Sequence, residues 1–460
     1  ESASGPVPWL TITLLVLSVL AISAAGLSQS LAWNAAGIVA GIAIAAAIAL
    51  RTYMLVVPSQ GSDAANLVLE FPSINLRFSY PVADLPWDAV KPQNKAAGIN
   101  NPAAIPTELD EEVLKALEPL LKDLKNTFQH VAVLAFFYLY LHLCTPDMPA
   151  RTFVTQSTLP VGAGLGSSAT FAVCLSSALL LLSSQLSTPR AQRVSADLEA
   201  SDKASPEHDY INGWAFIGEK CLHGNPSGID NTVACQGGAV LFQRPNTLVP
   251  IREFPELKLL LTNTKHPRRT ADLVARVGEL VRTFSKGTVS ILDAIEHVTR
   301  EAFELLAPTK KPTATNVQEV TLRVEMSPDE AAKRLIELVR INHGLLVSLG
   351  VSHPKLEKIR AVGDELGIGE TKLTGAGGGG CAITLLHVDD DVDSAADQAA
   401  KLAQFHARLV NDKVGFEIFD TILGGPGVGY GELVQPITVS EFHAYNRAQL
   451  EGISAWQYWK

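Results

Sequence analysis

The sequence has no surplus of basic charge. Its 37 Lys and Arg are outnumbered by 47 Asp and Glu, leaving a formal net charge of −10 over 460 residues. A nucleic-acid-binding protein would show a basic face, so that class is excluded, while a local pocket for a polyanion is not. Cysteine is sparse: Cys144, Cys174, Cys221, Cys235 and Cys381 are odd in number and lack metal-ligand spacing. That pattern points to a reducing compartment and buried thiols. No internal repeat is present. Charge of either sign is missing from one whole stretch, because Ser2 to Leu50 contains no Asp, Glu, Lys, Arg or His. Residues 7–27 are long enough to span a bilayer, yet they lack the basic start and clean cleavage site of a signal peptide. Three readings stand for this stretch: a membrane anchor, a buried hairpin of core elements, or sequence that does not belong to the folded protein.

What is present after Arg51 is the pattern of a large mixed α+β chain, long enough for two or three domains. "TYMLVVP" and "LVLEFPSINLRFSY" predict strands, being β-branched and aromatic between Pro, Gly and Ser. Residues 81–106 read as a surface loop. "TELDEEVLKALEPLLKDLKN" predicts an amphipathic helix capped by Thr107, followed by a very apolar helix around "HVAVLAFFYLYLHL". "ARTFVTQSTLP" predicts a strand, and a helix follows over Ser167–Leu186. "LKLLLTNT" is a continuous apolar run and predicts a buried strand. "SPDEAAKRLIELVRINHGLLVSLG" has a complete helix start, with Ser327 as cap, Pro328 in the first turn and Glu330 closing a capping box; Gly350 supplies the stop. "APTKKPTATN" reads as an exposed loop.

Four short motifs carry chemistry. In "PVGAGLGSSA", Gly162, Gly164 and Gly166 alternate and then open a helix. Backbone N–H groups turned to one point, beside a helix N-terminus, make a phosphate cradle. The Gly-Lys-[Ser/Thr] ending of a Walker loop and the spacing of a dinucleotide fold are both missing. Ser167 and Ser168 bring hydroxyls to the first turn, where one can reach a metal. The bland alternative is a tight turn for helix packing. "HGNPSGID" specifies a sharp turn that presents Asp230 either as a proton acceptor in phosphoryl transfer or as a helix cap. Glu219, on the preceding helix, is either a solvated face residue or a Mg²⁺ ligand. "NTKHPRRT" places Lys265, Arg268 and Arg269 at a strand end, suited to an anion or simply to solvent. "LTGAGGGG" has four consecutive glycines; such a run is costly unless something approaches the backbone, and with Lys372 and Thr374 beside it the run suits an anion.

Together these motifs resemble the GHMP superfamily of small-molecule kinases, and "GEKCLHGNPSGIDN", "LLTNTKHPRRT" and "KLTGAGGGGCAITLL" are similar to its mevalonate kinase branch. The resemblance covers about residues 42–430. It implies a two-domain α+β fold, with an amino-terminal ATP-binding domain like domain 2 of ribosomal protein S5 over 42–250. An α+β carboxy-terminal domain over 251–434 and a tail over 435–460 would follow, with 1–41 left as the atypical apolar segment. It implies Asp230 as the catalytic base, Pro160, Gly162, Ala163, Gly164, Leu165, Gly166, Ser167 and Ser168 around the ATP phosphates, and Ser168 and Glu219 on Mg²⁺. Thr270, Ala376, Gly377 and Gly378 would lie near substrate. The implied reaction moves the ATP γ-phosphate to the C5 hydroxyl of mevalonate. A cytoplasmic homodimer without nucleic acid is implied too, with membrane association only through residues 7–27.

One departure stands out. The family's first motif, Pro-Gly-Lys-x-x-x-x-Gly-Glu-His, belongs just before "AIAAAIALRTYM" and is absent; its lysine would lie beside the base and the transferred phosphate. Two alternatives follow from that: a member that binds nucleotide without turnover, tethered or not, and a kinase acting on another alcohol. A further consequence is that the first strand of the amino-terminal domain must come from the uncharged stretch or be missing.

Overall fold

The computed structural model describes residues 16–19, 42–96, 98–99, 105–160, 163–189, 205–243, 247–251, 257–267, 270–306, 327–387, 392–411, 413, 415–431, 437–452 and 456–459. The amino-terminal half runs β1 (Val16–Val19), β2 (Ile42–Ala47), β3 (Thr52–Pro58), β4 (Asn66–Phe71), β5 (Leu76–Pro81), α1 (Glu111–Leu121), α2 (Thr127–Leu143), β6 (Arg151–Ser157), α3 (Ser167–Leu182), α4 (Pro206–His223), α5 (Ile229–Gln236), β7 (Ala239–Gln243) and β8 (Thr247–Ile251). Two four-stranded sheets result, ordered β1-β2-β7-β8 and β3-β6-β4-β5. All pairings are antiparallel except β4 with β6. The uncharged stretch therefore supplies β1 and β2. The rest of residues 7–27 lies outside the described residues, and no described helix is long and apolar enough to cross a membrane.

Burial explains the helix choices. α1 buries Val113, Leu117 and Leu121, one residue per turn. Its cap is Asp110, whose carboxylate accepts from Glu112 N, and not Thr107. Asp is the stronger cap, and the Thr107 carbonyl instead accepts from Lys220. α2 is apolar on every side and correspondingly buried from Ala135 to Leu143, with Phe136 edge-on to Phe137 and Phe153. α3 stops at Leu182, four residues short of the expected end. The described part of the 81–106 segment is more than a surface loop: residues 82–94 hold three short 3₁₀ turns and bury Val82, Leu85 and Val90 against the main core.

The second half contains β9 (Leu257–Asn263), α6 (Thr270–Thr283), α7 (Ser285–Leu306), α8 (Pro328–Ser348), α9 (Pro354–Leu366), β10 (Gly369–Leu373), β11 (Cys381–Leu386), α10 (Val392–Val410) and β12 (Glu417–Leu423). Its sheet order is β10-β11-β9-β12, all antiparallel. Ser327 caps α8 by accepting from Glu330 N, while the Glu330 carboxylate pairs with Arg334. Gly350 follows the helix end at φ +68°. The expected loop around 307–316 lies outside the described residues.

Two features join the halves. Ile44, Ala46 and Ile48 share one apolar cluster with Leu259, Leu261 and Ile383. After β12 the chain returns to the first half through β13 (Gly429–Tyr430), α11 (Val439–Ala444), α12 (Arg447–Gly452) and β14 (Gln457–Tyr458). Phe442 and Leu450 pack on Tyr53, Leu55 and Val154, and Trp459 donates to the Ser187 carbonyl. The described residues after 434 are therefore docked on the amino-terminal half.

Candidate active site

The site is assembled where α3, α4 and α5 pack on one another. The phosphate-loop motif leads into α3. Leu159, Ala163 and Leu165 are buried in the cluster shared by the two halves, which pins the loop between them. Gly164 and Gly166 have φ of +74° and +72°, a region that glycine enters without strain. Gly166 is the N-cap and offers no side-chain acceptor. The N–H groups of the first turn, from Ser167 to Ala169, have no partner within the helix. They and the helix dipole favour an anion here. Gly162 lies outside the described residues.

α4 approaches α3 closely because it carries Gly218 at the contact. A Cβ there would stand 3.2 Å from the Ala172 Cβ and from the Leu139 side chain. Ala172 is one turn along from Ser168, and Glu219 follows Gly218, so the close approach sets Glu219 against Ser168. The Ser168 side chain lies beside the Glu219 carboxylate and favours its charged form. Glu219 is only 4 % exposed, and its Oε1 has no partner. Burial, and then the charge of Asp230, push its pKa up to about 8. A buried carboxylate oxygen without a donor is expensive unless a proton or a cation meets it.

Asp230 sits in the first turn of α5, two residues past the N-cap Gly228, whose φ is +77°. The cap position is thus held by glycine, and Asp230 lies in the first turn, near enough for its charge to act on Glu219. Hydrogen bonds from Asn231 to the Asn212 carboxamide and from Asn212 to the Thr232 hydroxyl, 2.7 and 3.1 Å long, fix α5 on α4. One residue escaped the sequence reading: His223, one turn beyond Glu219, places Nε2 2.9 Å from Ser168 Oγ. The i, i+4 spacing of Glu219 and His223 was the available signal.

Among the described residues no group of three or more His, Cys, Asp and Glu is gathered for a metal. The donors that do converge are hard oxygens, a hydroxyl and a buried carboxylate with an unpartnered oxygen. That set fits Mg²⁺, which takes one or two carboxylates and completes its shell with water and phosphate oxygens. Ser168 and Glu219 would hold it.

The glycine run behaves differently. β11 pairs with β9, so Leu373–Gly380 is brought onto the basic motif, with Gly380 N donating to the His266 carbonyl at 3.0 Å and Thr264 N to the Gly380 carbonyl at 2.9 Å. Gly378 N donates to the Val351 carbonyl at 2.7 Å, and Gly377 N to that of Thr374. The Thr374 hydroxyl donates to the Cys381 carbonyl. Lys372 is fully buried and donates to the Leu373 carbonyl, and burial lowers its pKa to about 7. The amides of Gly377, Gly378 and Gly380 and the Lys372 ammonium are thus directed to carbonyls of the protein itself. Ala376 is buried beside them. Thr270 begins α6, and Arg268 and Arg269 lie outside the described residues.

The GHMP kinases N terminal domain matches residues 128–238, and the GHMP kinases C terminal domain matches 329–404. The chain is 43 % identical to the mevalonate kinase of Candida albicans over 440 residues, covering 91 % of this chain and 94 % of that one. It is 39 % identical to the mevalonate kinase of Saccharomyces cerevisiae, covering 84 % and 83 %. Among solved structures, the Methanococcus jannaschii mevalonate kinase superposes with a TM-score of 0.59 at 18 % identity, covering 92 % of this chain and 100 % of the other. The L. major mevalonate kinase in complex with R-mevalonate gives 0.56 at 19 %, covering 93 % and 99 %. These structural likenesses establish the fold, and the sequence identities establish the kinship: the chain belongs to the mevalonate kinase family of the GHMP kinases.

Proposed function

We propose that this chain transfers the γ-phosphate of ATP to the C5 hydroxyl of mevalonate, giving 5-phosphomevalonate. The observation that carries the reading is the buried Glu219 beside half-buried Ser168 at the amino-terminal end of α3, with Asp230 on the adjoining helix α5. Phosphoryl transfer asks the protein for alignment and charge neutralisation more than for covalent chemistry. The first-turn N–H groups of α3 bind phosphate oxygens. Ser168 and Glu219 would hold Mg²⁺, which when bound would neutralise phosphate charge. Asp230 accepts the proton of the attacking hydroxyl. Thr270 and the Ala376–Gly378 turn bound the substrate side, the turn by its shape.

The test is steady-state kinetics of the purified chain with ATP, Mg²⁺ and mevalonate. Asp230→Asn is expected to lower kcat by about 100-fold or more while leaving nucleotide binding intact, the usual range for losing a general base. Product formation that survives undiminished in Asp230→Asn would overturn the assignment. A chain that binds ATP and forms no product would instead match the reading left by the absent lysine motif. A panel of other alcohols separates a change of substrate from a loss of chemistry. The resemblance also implies a homodimer, which sedimentation velocity checks.

A further inference from the structure

His223 belongs to no part of the mechanism above, yet its ring nitrogen touches the proposed metal ligand. Glu219 and His223 are four residues apart on α4 and so share one face. The Gly218–Ala172 contact turns that face onto the first turn of α3. Ser168 thus stands between a carboxylate and an imidazole, beside the first and with its Oγ 2.9 Å from Nε2 of the second. α4 ends immediately afterwards, at Gly224 with φ +75°, which leaves the ring at the open side of the site.

A serine hydroxyl has one hydrogen and two acceptor lone pairs. To serve a cation through oxygen it must direct that hydrogen to another acceptor. Glu219 is one, but a carboxylate that takes the hydrogen has one oxygen less for the cation. We propose that His223 is a positioning residue: its Nε2 accepts the Ser168 hydrogen, turning the Ser168 lone pairs toward Mg²⁺ and leaving Glu219 wholly to the ion. Nδ1 then carries the ring hydrogen. The inference rests on the reading of Ser168 and Glu219 as the Mg²⁺ ligands.

Equilibrium binding of a non-hydrolysable ATP analogue, measured by calorimetry with and without Mg²⁺, tests this without turnover. His223→Ala is expected to weaken the Mg²⁺-dependent part of binding about 10-fold, within the range typical of residues that orient a metal ligand. Metal-free binding should not change. His223→Gln, which keeps a side-chain acceptor, should recover part of the loss, and a melting curve on each variant confirms the fold. Adding His223→Ala to Ser168→Ala should cost nothing further. Equal weakening with and without Mg²⁺ would mean that His223 contacts phosphate directly, and would overturn the proposal. Additive losses in the double variant would overturn it as well. If Ser168→Ala removes the Mg²⁺ dependence and His223→Ala does not, only the positioning role falls. If Ser168→Ala leaves the dependence whole, the metal assignment falls with it.

Discussion

Two glycine-rich turns in this molecule look alike in sequence and differ in what their backbone donors do. In the loop before α3, Gly164 and Gly166 adopt positive φ and deliver the chain into a helix whose first N–H groups have no partner within the helix. In the Gly375–Gly380 turn the glycines also adopt positive φ, but the amides of Gly377, Gly378 and Gly380 are spent on the carbonyls of Thr374, Val351 and His266. The first turn is open to a ligand. The second is a packed joint that ties β10, β11 and the strand-end motif of β9 together. A glycine run signals close approach of something to the backbone; here one approach is left to a ligand and the other is made by the protein itself.

The sharpest way to break this contrast is Gly377→Ala. The native φ is +79°, and the new Cβ would fall 2.1 Å from the Val351 carbonyl oxygen. The variant should lose about 3 kcal/mol or more of stability, combining steric overlap with left-handed strain. Urea unfolding measures this, and an unchanged midpoint with weaker ATP binding would show that the turn is a ligand loop after all. Next in size is Glu219→Gln on the open side. Removing the carboxylate should lower kcat/KM about 100-fold, the scale of losing one electrostatic element of the site, while the melting temperature holds or rises. A fall in stability equal to the fall in activity would place Glu219 with the packing residues instead.

The smallest effect, and the one with a pH signature, concerns Lys372 beside the closed turn. Its ammonium ionises near 10.5 in a solvated chain and near 7 in the fold, because burial penalises the charged form. Between those values the unfolded chain holds a proton that the folded one has released. Stability should therefore rise with pH from about 7 to about 10.5, and the full penalty should be present below about 7. Lys372→Met should remove that slope and add about 1–3 kcal/mol at pH 7, as hydrophobic replacement of buried charge often does. Denaturant titrations at several pH values test both, and a variant with the slope intact would remove Lys372 as its source.

Much of the fold was legible locally. The apolar run of β9, the capping serine of α8 and the all-round apolar α2 each follow from side-chain chemistry at neighbouring positions. The candidate site was legible as four motifs in order, with Ser168 and Asp230 in two of them and Glu219 on the helix that leads into the second. Other features were hidden because competing local signals had similar strength. Asp110 displaced Thr107 as the cap of α1, and the polar-looking 81–106 segment placed three apolar residues in the core. His223 was inconspicuous because its importance depends on which face of α4 meets α3, and a small residue at Gly218 sets that contact.

The sequence alone determined the alternation of strands and helices, the kinship, and the presence of a helix start stripped of side-chain caps at Gly166. Those depend on residue chemistry within a turn or two of chain. Tertiary structure alone decided which glycine-rich turn keeps its donors, that Glu219 is buried with an oxygen unpartnered, and that β1 and β2 come from the uncharged stretch. A hydrogen-bond donor is free or spent according to the acceptor that reaches it, and the acceptors for Gly378 and Gly380 arrive from elements remote in the chain. Local pattern specifies the groups on offer, and packing decides which of them remain for a ligand.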